Sequence, residues 1–255
     1  MSLVDLSVLR GDSLLGKLVR LPLRLVPKNA IVPILQGDLR GRWWVAGSSV
    51  HGCWLGWYER DKQLEFVRAL RPGAVVYDIG ANVGFYTLLS SVLVGDRGRV
   101  YAFEPVPRNV RYLRRHIQLN RLQNVEVMDL AVGESAGEAS FDDTLGDSQG
   151  KLSTGGRLHV RLASLDGLMA AGDLRPPDLL KIDVEGAEAA VLKGGLGILR
   201  AHHPKVFLAT HGLSEHSECL AILRDLGYQI AAVDGGPAED TDEVTATWDA
   251  DRSRR

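Results

Sequence analysis

From Arg71 to Val233 short apolar runs alternate with stretches of helical periodicity, and this alternation leaves the chain few folds to choose from. "AVVYDIG" reads as a strand and Phe85 to Val94 as a helix. "RVYAFEP" is the next strand, followed by a helix over Arg108 to Asn120 with basic residues on one face. "VEVMDLAVG" is a further strand, and Ser164 is placed to cap a helix reaching Ala170. "DLLKIDVEG", a helix over Ala187 to Leu199, "KVFLATHG", a helix over Ser214 to Leu226 and "GYQIAAV" complete the series. Strands separated by helices do not pair as hairpins. They form a mainly parallel sheet covered on both faces, the doubly wound α/β architecture.

Residues 71–233 therefore read as the domain, 1–70 as an N-terminal extension and 234–255 as a polar tail outside the sheet. "SLLGKLVRLPLRLVPKNAIVPILQG" mixes Leu and Val with cations and is broken by Pro22 and Pro27. It reads as an amphipathic helix packed on the domain, with weak contact at a membrane surface as the other reading. "GRWWVAGSSVHGCWLGWYERD" holds four of the five tryptophans, which suits a core, a hairpin or the floor of a pocket. The Gly/Ser/Asp-rich stretch between Ser135 and Val160 reads as a loop or hairpin, with Ser148, Lys151 and Ser153 set beside a substrate entrance.

The formal net charge of −2 argues against a dedicated nucleic-acid binder. No run of about 18 apolar residues is present, so no transmembrane helix is expected. Charges at Asp5, Arg10, Asp12, Lys17 and Arg20 interrupt the N-terminus, which does not read as a secretory signal. The expected compartment is the cytoplasm, and two distant cysteines, Cys53 and Cys219, agree with a reducing one.

Chemistry concentrates where strands end. "DIGANVG" places Gly80 and Gly84 after the first strand of the domain, where doubly wound sheets bind ligands. Glu104 ends the next strand 24 residues after Gly80, a spacing suited to an acid that accepts ribose hydroxyls. A dinucleotide loop wants G-x-G-x-x-G, but Asn82 holds the middle position and no third glycine follows. Asp78 would also stand near an anionic pyrophosphate, whereas it suits a cofactor carrying a sulfonium and an amino group. Charge complementarity favours S-adenosylmethionine.

"DIGANVGFYTLL", "GRVYAFEPVPRNVRYLRRHIQLN", "NVEVMDLAVGE", "PPDLLKIDVEGAEAAVLKGG" and "FLATHG" occur in order from about Gly73 to about Val233. Together they resemble the FkbM family of S-adenosylmethionine-dependent methyltransferases. The resemblance implies a class I methyltransferase fold, a Rossmann-like seven-stranded sheet whose last strand is antiparallel. It also implies methyl transfer to a hydroxyl of a sugar, glycan or secondary-metabolite acceptor. By position, Asp78, Gly80, Ala81, Asn82, Gly84 and Phe85 would hold the methionine moiety, and Glu104 with Pro105 the ribose. Asp129 and Leu130 would lie along the adenine, either through the Asp129 side chain or through the Leu130 amide.

"KIDVEGAE" carries the catalytic candidates. Asp183 and Glu185 lie two apart on an extended segment and can share a face, as can Lys181. His211 ends the neighbouring strand in "ATHG" and is expected beside Asp183. An imidazole titrates in the range needed to take a hydroxyl proton, with Asp183 orienting it or acting itself. A divalent metal on Asp183, Glu185 and His211 is the competing mechanism, although no spacing fixes its geometry. A nicotinamide-dependent oxidoreductase and a non-catalytic S-adenosylmethionine-binding protein are the alternative functions. The missing glycines weigh against the first, and the intact acids and His211 against the second.

Overall fold

The computed structural model describes residues 23, 25–142, 151–152 and 158–248. The amphipathic segment proposed for the extreme N-terminus lies mostly outside these residues, as do Ser148 and Ser153.

A central sheet of seven strands is built from β3 (Val75–Ile79), β4 (Arg99–Phe103), β5 (Val125–Met128), β10 (Leu179–Ile182), β11 (Lys205–Ala209), β12 (Tyr228–Ala232) and β13 (Glu243–Trp248). Its spatial order is β12-β13-β11-β10-β3-β4-β5. The strands β5, β4, β3, β10 and β11 pair in parallel, while β13 runs antiparallel to both β11 and β12. All residues of β3 and β10 are buried, as parallel strands covered on both faces require. This is the class I methyltransferase sheet, with one antiparallel strand inserted beside the edge strand.

The inserted strand corrects one expectation. "GYQIAAV" is not the last strand, because Glu243–Trp248 lies in the segment read as a polar tail. Val244 and Ala246 are fully buried on one side of it, so a short alternating pattern is enough to complete the sheet.

Helix Phe85–Val94 has the bounds the periodicity predicts. The helix Pro107–Leu119 begins with proline at its first turn and buries Asn109, Val110, Leu113 and His116, leaving Arg111, Arg114 and Arg115 outward. Ser164 caps Leu165–Ala170, accepting a hydrogen bond from the Gly167 amide. The expected helix Ala187–Leu199 is two helices, Glu188–Lys193 and Leu196–His202. At the break, a Cβ on Gly194 would sit 2.0 Å from the Gly133 carbonyl oxygen, so the backbones touch there and the chain must turn.

"VEVMDLAVG" likewise divides after Met128. Ala131–Val132 (β6) joins a second sheet with β7 (Gly137–Asp142), β8 (Lys151–Leu152) and β9 (Leu158–Ala163), in the order β6-β9-β7-β8.

The extension packs onto the domain. Ile31–Pro33 (β1) and Trp43–Val45 (β2) form a hairpin that buries Trp44 against the His116 ring, stacked at 3.8 Å between centroids. His116 Nε2 accepts from the Val45 amide at 3.0 Å, and Nδ1 faces the Val83 carbonyl at 2.8 Å. The imidazole is neutral in this role, and burial lowers its pKa to about 4. One histidine thus ties the extension to the glycine loop.

Candidate active site

A pocket opens at the carboxyl ends of β3, β4 and β10, where this topology receives ligands. The loop after β3 supplies Gly80, Ala81, Asn82, Val83 and Phe85, and the end of β4 supplies Glu104 and Pro105. Leu130, Ala131 and Val132 form an apolar side. Lys181, Asp183 and Glu185 contribute the polar one. Ser49, Val50, Cys53 and Tyr58 of the extension close the remainder, so the tryptophan-rich segment does help wall a pocket, although not through its tryptophans.

Gly80 is indispensable to the turn. Its φ is +76°, and a Cβ would meet the Asp183 carbonyl oxygen at 1.8 Å. Beside it, Glu104 is buried with both oxygens engaged. Oε2 accepts from the Asn82 amide at 2.8 Å, and Oε1 from the Val106 amide at 2.8 Å and Asn109 Nδ2 at 3.3 Å. Burial raises its pKa to about 7, against the pull of these donors.

Asp78 departs from its expected place. It is fully buried and is not part of the pocket wall. Oδ2 accepts from Thr87 Oγ1 at 2.6 Å, and Oδ1 lies 3.4 Å from Lys181 Nζ. The carboxylate that a cationic ligand would meet is Asp183, whose side chain is 24% exposed. Gly84 sits at the N-cap of the following helix, packed on Leu113, and also stays off the wall. Asp129 faces away, half exposed and paired with Arg114 at 2.7 Å, while Leu130 turns in.

Behind the wall lies a network of buried charge. Lys181 Nζ donates to the Gly80 carbonyl at 3.0 Å and lies 3.5 Å from Asp183 Oδ2. Lys62 is 2.8 Å from Glu243, 3.3 Å from Glu59 and 4.0 Å from the same Asp183 oxygen. Burial opposes charge on Lys181, but Asp183 and Asp78 outweigh it and raise its pKa. Burial likewise opposes ionisation of Asp183, and Lys181 and Lys62 outweigh it, so its pKa is lowered. Lys62 was not foreseen from sequence, because a lysine in a polar helix gives no local sign of burial.

His211 stands where the strand order places it, at the edge of this wall. Nε2 is 3.4 Å from Glu185 Oε2 and 3.8 Å from Asp183 Oδ1, while Nδ1 is 2.8 Å from Glu188 Oε1. The Glu188 hydrogen bond raises the imidazole pKa despite partial burial, and Glu185, Glu188 and Asp183 add to the effect. Glu188 closes the "KIDVEGAE" motif, where nothing in the spacing marks it as a partner of His211. Its helical start, three residues past Glu185, brings it behind the histidine.

The model of the methyltransferase FkbM domain matches residues 78–230. The chain belongs to the FkbM methyltransferase family. Among similar proteins, hexuronic acid methyltransferase AglP of Haloferax volcanii is 30% identical over 129 residues, which are 50% of this chain and 52% of AglP. The 31-O-demethyl-FK506 methyltransferase FkbM of Streptomyces tacrolimicus is 29% identical over 200 residues, 64% of this chain and 75% of that protein. The 2-O-methyltransferase NoeI of Sinorhizobium fredii is 24% identical over 145 residues, 49% of this chain and 58% of NoeI. Two of these three matches span only about half of the relative's length.

The cofactor of the FkbM family is S-adenosylmethionine, and the pocket fits it. A glycine turn that admits close approach, a buried acid for hydroxyl donors, an apolar flank and a carboxylate at the far side match its ribose, adenine and cationic end. A pyrophosphate at the same turn would face Glu104 and Asp183 instead of donors, which disfavours a dinucleotide.

Proposed function

We propose that this protein is an S-adenosylmethionine-dependent O-methyltransferase acting on a hydroxyl of a sugar, glycan or secondary-metabolite acceptor. The observation that carries the reading is the convergence of Gly80, Glu104 and Asp183 on one pocket, with the Glu185 and His211 pair at its rim. The relatives named for a hexuronic acid, for a demethyl-FK506 and for 2-O-methylation support transfer to oxygen on a polyhydroxylated acceptor.

In this reading Glu104 holds the ribose, the Gly80–Asn82 turn lies along the methionine moiety, Leu130 lies against the adenine and Asp183 attracts the cationic end. When bound, S-adenosylmethionine supplies an electrophilic methyl group on a positively charged sulfur. The chain's own contribution is to place the acceptor hydroxyl in line with that methyl, which accounts for much of the rate in such transfers. As the hydroxyl oxygen forms the new C–O bond, the electron pair of the broken S–C bond stays on sulfur and the hydroxyl proton must leave. The Asp183, Glu185 and His211 rim is where it leaves.

Calorimetry with S-adenosylmethionine and its demethylated product tests the reading, followed by a mass-resolved screen of hydroxylated acceptors. Saturable binding and a gain of one methyl are expected. A chain that binds neither molecule, or is stabilised by NAD and not by S-adenosylmethionine, overturns it.

A further inference from the structure

The rim of the pocket has the make-up of a metal centre. We propose that Asp183, Glu185 and His211 bind a divalent first-row cation of the Mn2+ class, which receives the acceptor hydroxyl. The role given to the ion rests on the methyltransferase reading, but its binding does not.

One ligand atom from each of the three residues lies within 4.8 Å of the others. The measured separations from Nε2 are 3.4 Å to Glu185 and 3.8 Å to Asp183. Ligand atoms about 2.1 Å from a common cation stand roughly 3.0–3.5 Å apart, so modest rotamer shifts close the site. Two carboxylate oxygens and one imidazole nitrogen, without thiolate, suit a borderline divalent ion better than a soft one.

A second observation comes from a fourth residue behind the three ligands. The Glu188 carboxylate is fully buried, holds Nδ1 of His211 at 2.8 Å and is itself fixed by the Gly186 amide at 3.0 Å. Its other oxygen is buried with no hydrogen-bond partner among the described residues. A buried carboxylate committed to one imidazole nitrogen turns the other nitrogen, lone pair outward, toward Asp183 and Glu185. This is the arrangement that stands behind ligating histidines in metal sites.

The two oxygens of Asp183 divide the work. Oδ2 faces Lys181 and Lys62, and Oδ1 faces His211. The lysines therefore leave the cation side of the carboxylate free. Asp183 and Glu185 both line the pocket, so the remaining coordination positions open toward the acceptor. A hydroxyl bound there loses its proton to water more readily, and its oxygen is held at the reacting end.

The test uses the full chain, stripped with chelator and titrated with Mn2+ alone, with the free ion followed by electron paramagnetic resonance. Zn2+ and Mg2+ are titrated in parallel by calorimetry. One saturable Mn2+ per chain is expected, weakened at least about tenfold by His211→Ala and by Glu185→Gln, both still binding S-adenosylhomocysteine. Glu188→Gln is expected to weaken it about 10–100-fold through the imidazole. Where a melt shows that His211→Ala does not fold, Glu185→Gln and Glu188→Gln carry the comparison. Mn2+ binding in a chain that ignores S-adenosylhomocysteine would support the cation site and sink the methyltransferase reading. A chain that binds S-adenosylhomocysteine but none of the three ions overturns the site and leaves a free His211 as the base. Undiminished Mn2+ binding in the variants overturns it as well.

Discussion

The two ends of the pocket are built by different means. At the end proposed for the cofactor, a backbone turn and one acid lie within 25 residues of sequence, from Gly80 to Glu104, with Leu130 beside them. At the end proposed for the acceptor, Lys62, Asp183 with Glu188, His211 and Glu243 come from four separate stretches and meet through charge. The first end is a shape made by local geometry. The second is an electrostatic assembly that exists only once the sheet has formed.

The contrast can be broken hardest at Lys181. Lys181→Met leaves Asp78 fully buried without its cation, and a loss of about 3–5 kcal/mol is expected in a denaturant melt. A change below about 1 kcal/mol would mean that the network is not held by this lysine.

Gly80→Ala attacks the shape instead. The added methyl overlaps the Asp183 carbonyl, so about 3 kcal/mol of stability and most cofactor affinity should go together. Intact affinity in calorimetry would show that the turn can relax without consequence.

Glu104 joins the two kinds of construction, being a charge held by backbone. Its pKa in the folded chain is raised to about 7, so between the ordinary carboxyl range and pH 7 the folded chain holds a proton that the unfolded chain has lost. Its contribution to the stability of the ligand-free protein is therefore present at low pH and lost as pH rises through about 7. In the proposed reading cofactor binding runs the other way, because the ionised carboxylate is the stronger acceptor for a ribose hydroxyl at the position still open on Oε2. Affinity should climb between pH 6 and 8, and Glu104→Gln should flatten that profile and weaken binding by about 2 kcal/mol. A pH slope that survives the substitution would assign the titration elsewhere.

The smallest effect belongs to Asp129. Its exposed pairing with Arg114 is worth less than about 1 kcal/mol, and Asp129→Asn should leave cofactor affinity unchanged. A tenfold loss would return its side chain to the adenine.

Legibility in the sequence follows the same division. The helix after Gly84, the glycine turn and Glu104 were readable because short-range pattern makes them. Asp183, Glu185 and His211 were readable together because strand ends share one edge of a parallel sheet. Asp78 was misplaced because adjacency to the loop does not say which way a strand residue points, and its side chain turned inward to Lys181 and Thr87. The break at Gly194 falls on a Gly194-Gly195 pair, a local breaker signal, but the contact with Gly133, 61 residues away in sequence, is what fixes the turn. The last strand did carry a signal, the alternation of Val244, Ala246 and Trp248, but acidic neighbours made it look like tail.

That strand has a consequence for how the molecule is made. With β13 seated between β11 and β12, a nascent chain that has emerged only as far as Val233 has five parallel strands ending at an open β11 edge. β12 is already synthesised but has nothing beside it to hydrogen-bond. The sheet is sealed only when the ribosome releases residues 243–248, and the Lys62 contact to Glu243 then latches an early helix to a late strand. A premature stop after Val233 would leave β11 and β12 without the strand that joins them, the condition that favours aggregation over folding.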